Sequence, residues 1–525
     1  MSGEPKGGSF APLLQPTFAL LWFATVIGNI GSFMRDVASA WLVTDLGAGP
    51  AAVSLIQAAG TLPVFLLAIP AGVLADILDR RRFLLAVQVL LALVSLSLMA
   101  LAETGAMSVA ALVGLTFLGG IGAALMAPTW QAIVPELVPP RDIRSAVALN
   151  SLGINIARAI GPAAGGLLLA AFGATITYGA DVASYVVVIG ALLLWRRPPG
   201  EDDPLSERFA GAFRAGLRYA RSSRELHVVL ARAALFFVLG SAIWALLPLV
   251  ARQVLGGDAG YYGLLLGAVG AGAILGAFLL PMARRHLDID GLLLGASLLT
   301  ALAMVLLALA PPRMLAPLVL VLLGIAWITA LTGLNGTAQS ILPNWVRGRA
   351  LAVYLTVFNG AVTVGSLLWG AVAEGIGVPA ALWVAAAALT AKALLLRRFP
   401  LPRGEADLSP SRHWPEPLLA APIEHDRGPV TILIEYRLAP GTAAEFRALA
   451  HRLSAARRRD GAYSWGLAED AADPTRVIEW FMVESWAEHL RQHRRVSHAD
   501  ADLQGELRRF HIGQTPPEVR HFLAL

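Results

Sequence analysis

The feature that most limits what this chain can become is a series of apolar runs, each about 20 residues or longer. They lie near 17-44, 51-75, 83-102, 107-130, 144-172, 175-195, 227-251, 260-281, 289-310, 314-340, 349-376 and 378-396. A helix rises about 1.5 Å per residue, so each run spans a hydrocarbon layer of roughly 30 Å. Backbone N–H and C=O groups must pair internally in lipid, which makes the runs helices. The expected fold class is therefore an all-α polytopic membrane protein with twelve transmembrane helices, followed by a smaller α+β soluble domain. A 56% hydrophobic, 15% charged composition and a mean hydropathy of +0.64 exclude an ordinary soluble enzyme of 525 residues. Residues Met1 to Pro16 lack the charged-then-apolar pattern of a cleaved signal, so the first run is expected to remain as helix 1.

Several functions drop out early. Without cysteine there is neither a disulfide nor a thiolate metal site. Only Lys6 and Lys392 are lysines, and no G-x-x-x-x-G-K-[ST] loop exists, which removes a P-loop ATPase and leaves a gradient, or nothing, as the energy source. The net charge of +5 does not require nucleic acid. Arg80 to Arg82, Arg141, Arg144, the 196-226 segment, Arg284, Arg285, Arg347, Arg349, Arg397 and Arg398 fall in loops on one side, while the opposite loops carry only Arg252 and Arg313. The positive-inside rule then puts both termini in the cytoplasm.

Between the second and third runs lies Gly72 to Arg82, GVLADILDRRR. Gly72 permits close packing of helix and loop, Asp76 can face the positive end of a neighbouring helix, and the arginines hold the turn at the cytoplasmic surface. The stretch resembles the signature between helices 2 and 3 of the major facilitator superfamily, G-x-L-A-D-R-x-G-R-R/K. Gly72, Leu74, Ala75, Asp76, Arg80 and Arg81 match, whereas Ile77 and Asp79 replace the usual Arg and second Gly. The resemblance implies a gating motif of Gly72, Asp76, Asp79, Arg80 and Arg81. An offset of 204 aligns Gly72 with Gly276, Arg80 with Arg284, Arg81 with Arg285, Gly161 with Gly365 and Gly166 with Gly370, as two six-helix pseudo-repeats in parallel would. Leu280 stands where the second copy would carry the acid.

The fifth run contains Gly161-Pro162-Ala163-Ala164-Gly165-Gly166. Small residues at this spacing let helices touch, and Pro162 bends its own helix. The motif resembles that of drug:proton antiporters in the same superfamily, which implies export through Gly161, Pro162, Gly165 and Gly166; simple helix packing would use the same residues. The run Gly267 to Gly276 lacks dinucleotide spacing and suits packing.

Ionisable side chains are costly in hydrocarbon, so each needs a reason. Arg35 and Asp36 lie in helix 1, Arg158 in helix 5 and Asp181 in helix 6. Adjacent residues point to different helix faces, which leaves Asp36 to pair with Arg158 as a coupling element or as a structural ion pair. Arg232 is expected to snorkel to the cytoplasmic surface. By resemblance the cavity is lined by helices 1, 4, 7 and 10, which makes Asn29, Gln131, Trp244, Asn335 and Gln339 candidate substrate contacts. Phe209, Phe213 and Leu217, with Arg214, Arg218 and Arg221, suggest an interfacial helix in the central loop.

After Arg398 the chain turns polar. Residues 399-428 hold six prolines and read as a linker. The order strand (Val430 to Leu438), helix (from Thr442), strands (Ala462 to Ala468, Val477 to Val483), helix (Ala487 to Arg509) and strand (Val519 to Leu523) is ferredoxin-like. Glu484-Ser-Trp486 with His489 and His493 resembles dimeric α/β-barrel domains of the antibiotic-biosynthesis monooxygenase type. His489 and His493 could share a metal, but no H-E-x-x-H exists, and a solvated or dimer-facing helix is expected, with no metal and no cofactor. Trp465, Trp480 and Trp486 are candidates for an aromatic pocket.

The whole resembles the branch of the superfamily that includes the enterobactin exporter, with an added tail. The implied domains are an N-terminal six-helix half (1-195), a central loop (196-226), a C-terminal half (227-398), a linker (399-428) and a cytoplasmic domain (429-525). The expected function is secondary active efflux of a small organic molecule, such as a siderophore or drug, across a bacterial inner membrane. The expected partners are that substrate, the bilayer, a proton as candidate coupling ion and a second copy through the tail, with no nucleic acid. A membrane-tethered oxygenase and a non-transporting ligand sensor are the alternatives.

Overall fold

A computed structural model describes residues 10–195, 209–343, 345–404, 407–409, 411, 414, 423–424 and 427–524. The side chains of 69, 73, 76, 77 and 209–215 lie outside that description, so the role expected of Asp76 and the lipid-facing role of Phe209, Phe213 and Arg214 fall outside the described residues. So do Pro410, Pro415, Pro417 and Pro422 of the expected linker. The helices in chain order are α1 (Pro16–Asp45), α2 (Pro50–Ile77), α3 (Arg80–Glu103), α4 (Val109–Ile133), α5 (Ile143–Leu194), α6 (Phe209–Ser222), α7 (Arg224–Leu249), α8 (Ala259–Ala283), α9 (Ile289–Ala308), α10 (Ala316–Ser340), α11 (Arg347–Ile376) and α12 (Val378–Leu396). All but α6 are long and apolar enough to cross a membrane, which makes eleven among the described residues.

The difference from the sequence expectation sits in α5. Its 52 residues would extend roughly 78 Å if straight, more than twice the hydrocarbon thickness. Gly173, at φ 79° and ψ −179°, breaks it into stretches 143–172 and 174–194. Without a Cβ, glycine takes this positive φ at no steric cost, and one residue replaces the expected loop.

The chain forms two compact units. The first holds Met1–Asp203, Ala231–Leu334 and Leu355–Pro400; the second holds Pro204–Leu230, Asn335–Tyr354 and Leu401–Leu525. In the first, glycines set the helix crossings. A Cβ on Gly161 would lie 2.6 Å from Phe33 Cβ on α1, and one on Gly166 would lie 2.5 Å from Gly263 Cα on α8. In the second copy of the repeat, Gly365 faces Val238 of α7, and Gly370 faces Ser54 and the Pro50 carbonyl of α2. The 204-residue offset is thus also a geometric one: α5 meets α1 and α8 as α11 meets α7 and α2.

The second unit contains a four-stranded antiparallel sheet with order β2-β3-β1-β4, made of β1 (Val430–Arg437), β2 (Ser464–Glu469), β3 (Arg476–Val483) and β4 (Glu518–Leu523). Val430 pairs with Val483 and with Leu523, so β1 is central. Alternation puts Val430, Ile432, Ile434 and Tyr436 on the covered face. Helix α13 (Ala443–Asp460) packs Phe446 and Leu453 there, each contributing about 1.5–3 kcal/mol on full burial. The single helix expected over Ala487 to Arg509 is two, α14 (Trp486–Arg495) and α15 (His498–Arg508). Ser497 starts the second with a capping box to Asp500, which competes with helix continuation.

Candidate functional site

The 72–82 turn is built by its arginines. Asp79 Oδ1 accepts from the Arg82 amide at 2.8 Å and caps α3. Arg80 pairs with Glu136 and donates to the Ala132 carbonyl at 3.2 Å near the end of α4. Arg81 donates to the carbonyls of Leu192 and Leu193 at 2.9 and 2.8 Å, at the C-terminal end of α5, where a cation meets the negative pole of the helix. Gly72 does not serve close packing: a Cβ there would meet nothing within 4 Å.

The expected Asp36–Arg158 pair is not formed. Arg158 makes no ion pair among the described residues. Asp36 is held by its neighbour, with Arg35 Nη2 3.0 Å from Asp36 Oδ1, because the long arginine side chain curls back past the divergence of adjacent Cβ positions. Arg35 also lies 3.7 Å from Asp181 Oδ2 and donates to the Tyr185 hydroxyl at 3.0 Å. Ser95 of α3 donates to Asp181 Oδ2 at 2.6 Å, and Ser32 shares a hydrogen bond with Tyr185 at 2.9 Å. Asp181 is fully buried and Arg35 nearly so, whereas the Asp36 side chain is 55% exposed. The Arg35–Asp36 contact is the shorter one, but only the Arg35–Asp181 pair is enclosed by protein on both sides. Gly31 makes room, because a Cβ there would come 2.7 Å from Asp181 Oδ1. Tyr185, Ser95 and Ser32 were not legible as members of this cluster.

A second charge cluster occupies the other half of this unit. Arg232 does not snorkel; it is buried, 2.7 Å from Asp290 of α9, and donates to the carbonyls of Leu396 and Phe399 at the end of α12. Desolvating a guanidinium requires such partners, and a carboxylate with a helix C-terminus provides them. Trp244 stands edge-on to Trp327 with centroids 5.2 Å apart, and its Nε1 is buried without a hydrogen-bond partner among the described residues. Trp327 also contacts Phe236 and Phe237, an aromatic cluster not foreseen from sequence. Asn29 on α1 is partly buried and Gln131 on α4 is exposed. Gln339 Nε2 donates to Asn335 Oδ1 at 3.2 Å one turn away on α10.

At the end of this unit carrying residues 45–50, the halves touch. Arg252, on a π-helical turn that ends α7, pairs with Asp45 and donates to Thr44 Oγ1 at 3.2 Å. Glu374 Oε2 accepts from the Ala51 amide at 3.1 Å, placing a carboxylate on the positive end of α2. Deeper along the same crossing, the Thr61 and Thr363 hydroxyls are 2.7 Å apart. We expect Glu374→Gln to keep the acceptor but lose the charge, about 0.3–1 kcal/mol, which shifts a two-state balance a few-fold toward opening here. Because the chain has no cysteine, a lone Thr61→Cys reports this directly: thiol labelling should quicken in the Glu374→Gln background, and an unchanged rate would refute the latch.

In the tail, His489 is buried rather than solvated, 1% exposed against the sheet. Its ring lies 4.8 Å from that of His493 and 4.7 Å from that of His521, with the His489 and His493 Nε2 atoms 3.3 Å apart. Among the described residues no group of three or more histidine, cysteine or acidic side chains is placed to hold a metal ion. Trp486 and Trp465 lie on the covered side of the sheet, and Trp480, in register with Leu433, lies on the other, so no three-tryptophan pocket forms. Burial, with its two histidine neighbours, pushes His489 down to about 3, while burial and repulsion from Asp500 push Asp460 up to about 7. The signs oppose. Stability from His489 is complete above its ordinary value near 6.5 and lost as pH falls toward 3; that from Asp460 is complete below the ordinary carboxylate range and lost as pH rises toward 7. Acidification from pH 7 to 5 should therefore stabilise the tail in His489→Leu and destabilise it in Asp460→Asn, read as hydrogen-exchange protection of β1 and β3; equal slopes would contradict the assignment.

Eleven helices long and apolar enough to span a membrane, among the described residues, packed by a twofold internal repeat, make this a polytopic membrane protein, and its family and relatives make it a transporter of major facilitator type, not an enzyme. The family model described as transmembrane secretion effector matches residues 7–525, and the chain belongs to that family. It is 23% identical over 351 residues to the staphyloferrin A transporter of Staphylococcus aureus, covering 66% of this chain and 87% of that protein. It is 26% identical over 378 residues to the multidrug efflux pump Tap of Mycolicibacterium fortuitum, covering 69% and 90%. Among solved structures, an inward-facing, unoccupied bacterial homolog of the human lysosomal transporter Spinster shares the fold, with a TM-score of 0.57 at 15% identity, covering 73% of this chain and 94% of that one.

Proposed function

We propose that the chain is a secondary active exporter of a small organic molecule, of the siderophore or drug class, in a bacterial cytoplasmic membrane. The observation that carries this reading is the paired crossing of α5 with α8 and α11 with α2, related by the internal repeat, which gives two halves that can rock about contacts near residues 45–50. Relatives named as a siderophore transporter and a multidrug efflux pump support the direction.

In this reading the chain crosses twelve times, α5 crossing twice on either side of Gly173, with both termini in the cytoplasm. The halves are 1-195 and 227-398, joined by the 196-226 loop, and the 399-428 linker leads to the ferredoxin-like domain of 429-525, which pairs with a second copy. Asp79, Arg80 and Arg81 brace the helix ends of the first half, with Gly72 and Asp76 on the same turn, and Gly161, Pro162, Gly165 and Gly166 form the pivot. Asp36 carries the coupling proton, since it is the accessible acid of the Arg35 cluster. Asn29, Gln131, Trp244, Asn335, Gln339 and Arg158 supply substrate contacts.

The test is accumulation of a catecholate siderophore, a macrolide and ethidium in an efflux-deficient bacterium, with and without a protonophore. Lower accumulation that the protonophore restores supports gradient-driven export. Unchanged accumulation of all three, with the protein present in the membrane, would overturn it.

A further inference from the structure

The second unit joins three stretches far apart in sequence: α6 with the start of α7, residues 335–354 that end α10 and begin α11, and the tail. One carboxylate links them. Glu488, on the first turn of α14, has a side chain only 8% exposed and accepts from Arg218 of α6 at 3.0 Å, Arg495 at 2.6 Å and Arg491 at 3.4 Å. Arg218 also reaches Glu484 at 3.3 Å, so it meets tail carboxylates rather than the lipid headgroups expected of it. The Arg495 guanidinium lies 4.3 Å from the ring centre of Trp345, in the link between α10 and α11. Tyr219, beside Arg218, donates to the Ile341 carbonyl at 3.3 Å and meets Trp345 edge-on at 6.0 Å. Gly216 passes so near α11 that a Cβ on it would lie 2.7 Å from Arg349 Cβ.

We propose that the tail is a built-in brake on transport: Glu488, through Arg218 and through Arg495 stacked on Trp345, clamps the central-loop helix to the α10–α11 link and holds that link in one arrangement. The proposal rests on the export reading. Helices α10 and α11 change their mutual tilt by flexing the link between them, and Ile341 and Trp345 are held there. Contacts made in one arrangement and lost in the next slow departure from it. Removing the Glu488 charge leaves guanidiniums facing one another without their shared partner, which loosens the clamp at Arg218 and Arg495 together while the Arg218–Glu484 and Tyr219–Ile341 contacts remain.

The experiment uses the full-length protein in liposomes, with Glu488→Gln and, because that change lies within the tail's own packing, Arg218→Gln on α6 as the second variant. Hydrogen exchange follows residues 335–354 and strands β1 and β3, and transport is measured with whichever of the siderophore, macrolide or ethidium the wild type moves. The expected result is faster exchange at 335–354, unchanged protection of β1 and β3, and an initial transport rate raised by about threefold or more. Faster exchange with an unchanged or lower rate overturns the brake, and unchanged exchange in Arg218→Gln overturns the clamp. A wild type that moves none of the probes overturns the export reading and the brake with it, while the exchange measurement still decides whether the clamp exists.

Discussion

Replacing Asp181 by Ala should destabilise the membrane-embedded unit by up to about 3 kcal/mol, the low end of the cost of breaking a buried ion pair, because Asp36 stays beside Arg35. The carboxylate is fully buried, 3.7 Å from Arg35 and bonded to Ser95. Its removal leaves a guanidinium, itself 9% exposed, with Asp36 as its remaining counter-charge. Asp181→Asn retains a group able to accept from Ser95 and should fall between the wild type and the alanine variant. The double change Arg35→Met with Asp181→Ala should recover part of the loss, because it removes the buried guanidinium along with its partner. Asp36→Asn, at an exposed partner, should shift stability by about 1 kcal/mol or less. Apparent melting temperatures in detergent order the series, and an Asp181→Ala protein that melts with the wild type would show that the pair stabilises nothing. Transport by Asp36→Asn then asks a separate question: a folded but inactive variant makes Asp36 the coupling acid, and full activity removes it from that role.

The second large effect is expected at Gly166. A valine there would put Cβ 2.5 Å from the Cα of Gly263 and 2.9 Å from its N. Those atoms are backbone and cannot swing aside, so α5 and α8 must separate along the crossing, at a cost of about 1–3 kcal/mol or more. Transport should fall by about tenfold or more, since a pivot that no longer touches cannot guide a rocking motion. Gly370→Ala is the milder counterpart. Its nearest obstacle is the Ser54 side chain, with Cβ 2.5 Å away, and Ser54→Gly should relieve it. Gly190→Ala, which meets nothing within 4 Å, serves as the control. Wild-type transport by Gly166→Val would end the pivot assignment.

Hydrophobic length located most of the helices, because a 20-residue apolar run has few alternatives in a bilayer, though two runs are one helix broken at Gly173, and close contact was legible at Gly161 to Gly166 but not which helices meet there. The strands of the tail were legible for the same reason: alternation at Val430, Ile432, Ile434 and Tyr436 leaves one covered face. Ion-pair partners were not legible. Arg35 could be seen as costly, yet whether its guanidinium turns to Asp36, Arg158 or Asp181 depends on side-chain reach and on a vacancy at Gly31 that spacing does not encode. Burial of His489 was hidden by a helix whose composition is charged, since Glu488, Gln492 and Arg495 are buried alongside it. Glu374 went unnoticed because its partner is a backbone amide 323 positions away.

The single-residue break at Gly173 belongs to a wider economy at that end of the helices. The connections there are 46–49, 104–108, Gly173, 255–258, 309–315 and Gly377, from one to seven residues long. Such a face offers a protease no extended strand to cleave and an antibody almost no raised epitope. An affinity tag or fluorescent probe introduced there would have to displace a helix end, so reagents that recognise this protein from that face will need to bind the helix termini themselves.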